Sequence, residues 1–142
     1  MSILPDRILN KIADPKERKK LGRAGITACE AWRRETTKLE RKIHDEFASW
    51  CRRNEITFWH SNPTRKSSIG VGLPDFLCVR GGRCIGIEFK VYPNTLSPEQ
   101  LLKISELREH GTGVCVCTEG PDNSAYAEAT SIVAEYFGLD AQ

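Results

Sequence analysis

Between Gly72 and Lys90 the chain reads Gly-Leu-Pro-Asp-Phe-Leu-Cys-Val-Arg-Gly-Gly-Arg-Cys-Ile-Gly-Ile-Glu-Phe-Lys. Two runs rich in Leu, Val, Ile and Phe flank Gly81-Gly82, the pattern of two antiparallel strands joined by a two-residue turn. So short a turn fixes the register. Arg80 faces Arg83, and each step away from the turn opposes the next two residues. Asp75 therefore faces Glu88. Hydrogen-bonded and non-hydrogen-bonded pairs alternate along such a ladder. Asp75 and Glu88 fall on a non-hydrogen-bonded pair, where Cβ atoms approach to about 4.5–5.5 Å. Lys90, two residues past Glu88, points to the same face. A bulge in either strand would shift this register by one.

Two carboxylates at that spacing repel. Either one takes up a proton or a cation lies between them. Oxygen donors beside a lysine suit Mg²⁺ or Mn²⁺, and an ammonium on the same face can orient a water or stabilise a developing charge. The plainer alternative is a hairpin whose polar face is solvated.

Pro74-Asp75 followed by Glu88-Phe89-Lys90 resembles the PD-(D/E)xK nuclease signature. The wider pattern is Gly-x-Pro-Asp, a glycine turn, Ile-Glu-Phe-Lys and then Leu-Ser-Pro-Glu-Gln. It is similar to the VRR-NUC branch, the virus-type replication-repair nucleases, over about Glu40 to Glu119. The resemblance implies a restriction-endonuclease-like αβββαβ core, with a mixed sheet flanked by helices. It implies a metal-dependent DNA endonuclease in which Asp75, Glu88 and the Phe89 carbonyl hold Mg²⁺ or Mn²⁺ and Lys90 serves the attacking water. It implies products with a 5′-phosphate and a 3′-hydroxyl. It also gives Glu40, three residues before apolar Ile43 on the first core helix, a share in the metal site, although Glu30, Glu35 and Glu46 compete for that place. Gln100 becomes the helix glutamine that bonds near the catalytic lysine. Where some relatives carry Tyr four residues after that glutamine, this chain has Ile104, which removes one polar contact.

The chain of 142 residues is long enough for one core and leaves little room for a separate specificity module. Its six cysteines form no Cys-x-x-Cys pair, and His44, His60 and His110 are scattered along the sequence, which argues against zinc. Reduced, packing cysteines are expected, with Cys115 and Cys117 on one face of a strand. No segment is long and apolar enough to span a membrane, and Met1-Ser-Ile-Leu-Pro lacks the basic-then-apolar order of a signal peptide. The expectation is a cytoplasmic protein, with a phage protein acting inside its host included.

Net charge is +2 but uneven. Residues 1–53 hold fourteen Lys/Arg against eight Asp/Glu, and residues 54–142 hold seven against eleven. A basic half beside an acidic half suits a phosphate-binding surface next to a carboxylate site. Asp14-Pro15-Lys16-Glu17 opens a short basic helix closed by Gly22. Thr27 and Glu30 form a second capping box ahead of a Gly- and Pro-free stretch to Arg53. That stretch reads as one long helix, or two with a break near Thr36-Thr37. Residues 1–37 are thus expected to be a basic helical extension, and 38–142 the nuclease-like domain.

Residues 56–60 read as a strand. The polar loop after it carries Arg65 and Lys66 towards the Asp75 strand. Ser97, Pro98 and Gln100 make a helix N-terminus whose Leu101, Ile104 and Leu107 form the buried stripe. By that reading Gln100 needs no role beyond the cap. A short strand over 113–118 and a helix over 125–137, stopped by Gly138, complete the chain. The expected partner is DNA, branched or duplex, contacted by Arg65, Lys66, Lys19, Lys20 and Arg23, with a homodimer as a further expectation. The alternatives are an inactive nucleic-acid-binding scaffold and a nuclease directed at RNA. Replacing Lys19, Lys20 and Arg23 with Ala should weaken DNA binding and flatten its salt dependence by roughly one unit of slope per lost phosphate contact. Binding measured across a salt series checks this, and an unchanged slope would mean these side chains only face solvent.

Overall fold

A computed structural model describes residues 28–61 and 72–139. Among the described residues there are three helices and one four-stranded mixed sheet. In chain order they are α1 (Ala28–Arg53), β1 (Thr57–His60), β2 (Phe76–Arg80), β3 (Arg83–Val91), α2 (Pro98–Glu109), β4 (Gly113–Glu119) and α3 (Ala125–Phe137). The sheet order is β1-β2-β3-β4. The first two pairings are antiparallel, and β3 pairs parallel with β4 across the α2 connection. None of these helices is long and apolar enough to cross a membrane.

The hairpin has the register that its turn demands. Arg80 opposes Arg83 and Phe76 opposes Ile87. Gly81 and Gly82 both have positive φ, 58° and 77°, as a two-residue turn matched to the strand twist requires. Phe76 and Cys78 from β2, with Ile85, Ile87, Phe89 and Val91 from β3, point to one face. There they meet Leu39, Ile43, Phe47 and Cys51 of α1 and Ala125, Ala129 and Val133 of α3. The α1 residues recur at four-residue spacing, so one stripe of the helix covers the sheet. Alternate β3 residues, Gly86, Glu88 and Lys90, belong to the opposite face, where α2 lies.

α1 is continuous through Thr36-Thr37, so the expected boundary between residues 37 and 38 falls inside a helix. The Thr37 hydroxyl donates to the Arg33 carbonyl at 2.9 Å, which lets a β-branched residue sit in a helix without breaking it. Residues 1–27 lie outside the described part, and with them Lys19, Lys20 and Arg23. The same holds for Arg65 and Lys66.

The start of α2 is the predicted capping box. Ser97 Oγ accepts from the Gln100 N–H, and Gln100 Oε1 accepts from the Ser97 N–H. Its apolar stripe differs from the expectation. Ile104 is buried, Leu107 is half-buried, and Leu101 is 53% exposed. The N-terminal turn of α2 faces the 72–75 segment with its backbone rather than with Leu101: a Cβ on Gly72 would lie 2.6 Å from the Glu99 carbonyl oxygen. α3 has the expected bounds, with Ser124 as N-cap and Gly138 left-handed at its end.

The described cysteines are free thiols. Cys51 and Cys78 meet in the core, and the hydrogen bond between them, with burial, pushes the Cys78 thiol far up. Burial holds Cys117 up at about 12. Cys115 is only half-buried, because β4 is the sheet's outer strand.

The approach to Asp75 depends on two glycines. Gly72 has φ +81° as well as the contact with Glu99. Gly86 leaves room for Pro74, whose Cγ would be 3.1 Å from a Cβ there. Gly72→Ala should therefore destabilise the fold by about 1–3 kcal/mol, read from a urea transition. An unchanged midpoint would mean that this segment is not held against α2.

Candidate active site

Asp75 is the residue just ahead of β2, and Glu88 sits in the middle of β3. The two side chains are tied crosswise. The Asp75 N–H donates to Glu88 Oε2 at 3.0 Å, and the Phe89 N–H donates to Asp75 Oδ2 at 2.8 Å. Each carboxylate thus accepts a main-chain hydrogen from the segment that carries, or adjoins, the other. The open end of the hairpin is closed by these bonds instead of by another rung of the ladder.

Glu88 is 1% exposed, the most deeply buried acid among the described residues. Gln100 Nε2 donates to its Oε1 at 2.7 Å. Lys90 Nζ is 3.5 Å from the same oxygen. Gln100 is thus bonded at both ends of its amide: the carbonyl oxygen completes the helix cap and the amide nitrogen donates to Glu88. Three donors converge on Glu88 and favour the carboxylate. Burial outweighs them, the Asp75 charge adds to it, and the carboxyl is pushed up to about 7.

Glu40, half-buried on α1, lies within electrostatic reach of this pair. Burial raises its carboxyl above the usual range; Lys90 opposes the rise and Asp75 adds to it. Its competitors are placed differently. Glu35 lies 3.7 Å from Lys38, and Glu46 is an exposed partner of Lys42 at 3.8 Å. The Glu30 side chain is outside the described part. Phe89 buries its ring against Phe47 and Phe76 while its N–H serves Asp75.

The scattered histidines need a correction. His44 on α1 and His60 on β1 meet, with His44 Nδ1 3.1 Å from His60 Nε2. His44 Nε2 lies 3.3 Å from Asp75 Oδ2. The rings are sixteen residues apart on consecutive elements, and neither carries a local motif. Only β1 pairing beside β2, under α1, brings them to Asp75. His110 is away from this place, at the C-cap of α2.

The donor set is oxygen-rich, with buried negative charge that the protein only partly offsets, and it suits a hard divalent cation. Among the described residues no three His, Cys, Asp or Glu side chains converge at ligand distance. A metal here would complete its shell with water or substrate oxygens, as Mg²⁺ sites commonly do. No protein-family model matches this chain, and no curated protein matches it.

The raised Glu88 carboxyl sets a sign for the pH dependence of stability. Its folded-state value near 7 exceeds the unfolded value near 4.5. The native state holds a proton in that window which the unfolded chain has released, so stability falls as pH rises from about 4.5 to 7. In EDTA this should remove on the order of 3 kcal/mol, measured as denaturant midpoints at pH 5 and pH 8. In Asp75→Asn the Glu88 titration, followed by carboxyl ¹³C NMR, should move down towards the ordinary range. A titration that stays put would mean that Asp75 contributes nothing to it.

Proposed function

We propose that this chain is a divalent-metal-dependent DNA endonuclease, selective for branched substrates such as junctions or flaps, built on a restriction-endonuclease-like core. The observation that carries this reading is the crosswise pair Asp75–Glu88, with Lys90 and Gln100 both on Glu88 Oε1. The order αβββαβ around a mixed sheet supports the fold assignment.

Asp75 and Glu88 are the residues that would hold Mg²⁺ or Mn²⁺, with the Phe89 carbonyl beside them and Glu40 adding negative charge. When bound, the ion would supply a water of lowered pKa and neutralise charge on the phosphate. Gln100 fixes the Glu88 carboxylate in one orientation, because its amide is itself fixed by the α2 cap. Lys90 keeps an ammonium on the carboxylate face, mostly shielded from solvent. There it can orient a water or balance the charge that develops at phosphorus. Lys90 Nζ lies 3.5 Å from Glu88 Oε1, so the side chain is drawn to a site whose carboxylates would otherwise repel the phosphate backbone.

Lys90→Ala separates chemistry from binding. Its single-turnover cleavage of a labelled junction or flap in Mg²⁺ should fall by roughly 10²-fold or more, while junction binding in Ca²⁺ changes little. Lys90→Arg should restore the rate only in part, because a planar guanidinium does not place its charge as an ammonium does. Asp75→Ala and Glu88→Ala should abolish cleavage. Wild-type protein that cleaves none of duplex, flap, junction or RNA with either metal, or that cleaves in EDTA, would overturn the reading.

A further inference from the structure

Among the described residues, one buried side-chain polar atom has no hydrogen bond: His44 Nε2. It lies 3.3 Å from Asp75 Oδ2, yet the two are not aligned as donor and acceptor. The ring is held firmly. It packs edge-on against Phe76, with centroids 5.5 Å apart, and tilted against Phe89 at the same distance. His60, the partner of its Nδ1, stacks face to face on Phe76 at 4.4 Å.

A neutral imidazole carries one N–H. If His44 donates it from Nδ1 to His60, its Nε2 presents a lone pair to a carboxylate oxygen, and two acceptors at that distance repel unless a cation joins them. The opposite tautomer leaves a buried N–H without an aligned acceptor. A nitrogen and an oxygen bound to one ion at about 2.1 Å each are roughly 3.0–3.4 Å apart, for angles between octahedral and tetrahedral. The observed 3.3 Å lies in that interval. Metal-bound histidines donate their second N–H to a fixed acceptor, and His60 is placed to be that acceptor.

We infer that His44 Nε2 and Asp75 Oδ2 are adjacent ligands of one divalent ion, so that this chain selects Mn²⁺, or a similar imidazole-binding ion, over Mg²⁺. The inference rests on the reading of Asp75 as a metal ligand and adds a nitrogen donor from α1. Imidazole suits ions later in the first transition row, whereas Mg²⁺ takes oxygen. Glu40 stands one helical turn before His44 on the same side of α1, which adds charge that favours any cation there. Position 60 acts through His44 by fixing its tautomer.

The probe is Mn²⁺ alone, added to the full chain without DNA and observed by pulsed electron paramagnetic resonance. The wild type should show ¹⁴N modulation from a directly bound nitrogen, replaced by ¹⁵N modulation when only the histidines are labelled. His44→Gln should lose the modulation and bind Mn²⁺ at least about tenfold more weakly, with a smaller change for Mg²⁺ in calorimetry. His60→Ala and His110→Ala should keep the modulation, which assigns it to His44 even if His44→Gln does not fold. Mn²⁺ binding that Asp75→Asn abolishes, but without histidine modulation, overturns the nitrogen ligand and leaves the nuclease reading standing. Modulation that persists in folded His44→Gln also overturns it. No Mn²⁺ binding by the wild type overturns both.

Discussion

The repulsion between Asp75 and Glu88 is the constraint around which the rest of the described chain is arranged. Two acids placed opposite each other at the end of a hairpin should push its strands apart. Here each is held by a backbone N–H near the other, so the groups that repel also stitch the strands together. The stitch works only if Asp75 arrives at the right height. Pro74 fills the space left by Gly86, and Gly72 passes against the first turn of α2. The sheet, the turn and the helix start therefore converge on one buried carboxylate.

β3 shows how the two faces of the sheet divide the work. Its centre is buried on both sides, as expected for a strand paired with two neighbours and covered by helices. Five of its residues serve the core or its packing, and Glu88 interrupts them. An acid in that position has no packing advantage over valine or leucine. Its retention of charge depends on donors supplied from elsewhere: Gln100 from α2 and Lys90 from its own strand. Such an arrangement gives up stability to keep a carboxylate in a dry, rigid place, a common trade at sites that do chemistry.

What could be read in advance was what the chain encodes locally. A two-residue glycine turn has one register, so the opposition of Asp75 and Glu88 followed from counting. Ser97-Pro98 with Gln100, and Gly138, mark helix ends by side-chain and backbone chemistry that acts over a few residues. Features that need the third dimension were lost. His44 and His60 look unrelated until β1 is laid beside β2. Leu101 looks like core until α2 is seen to lean on the 72–75 segment by its backbone. Thr36-Thr37 leaves one helix and two both open, because propensity does not know that a hydroxyl can bond back along the helix or that Thr36 will be buried.

Gln100 carries a consequence for which sequences this fold can accept. A capping box tolerates Glu as readily as Gln at its third position, so the helix alone would allow either. The second bond removes that freedom: Glu would set a third negative charge against Glu88, and Asn would be too short to span from the Ser97 N–H to the carboxylate. Only an amide on a two-methylene stem accepts at one end and donates at the other over that gap. Position 100 is therefore narrower in its permitted chemistry than its exposed helical neighbours Glu99 and Leu101, although all three share one turn of one helix.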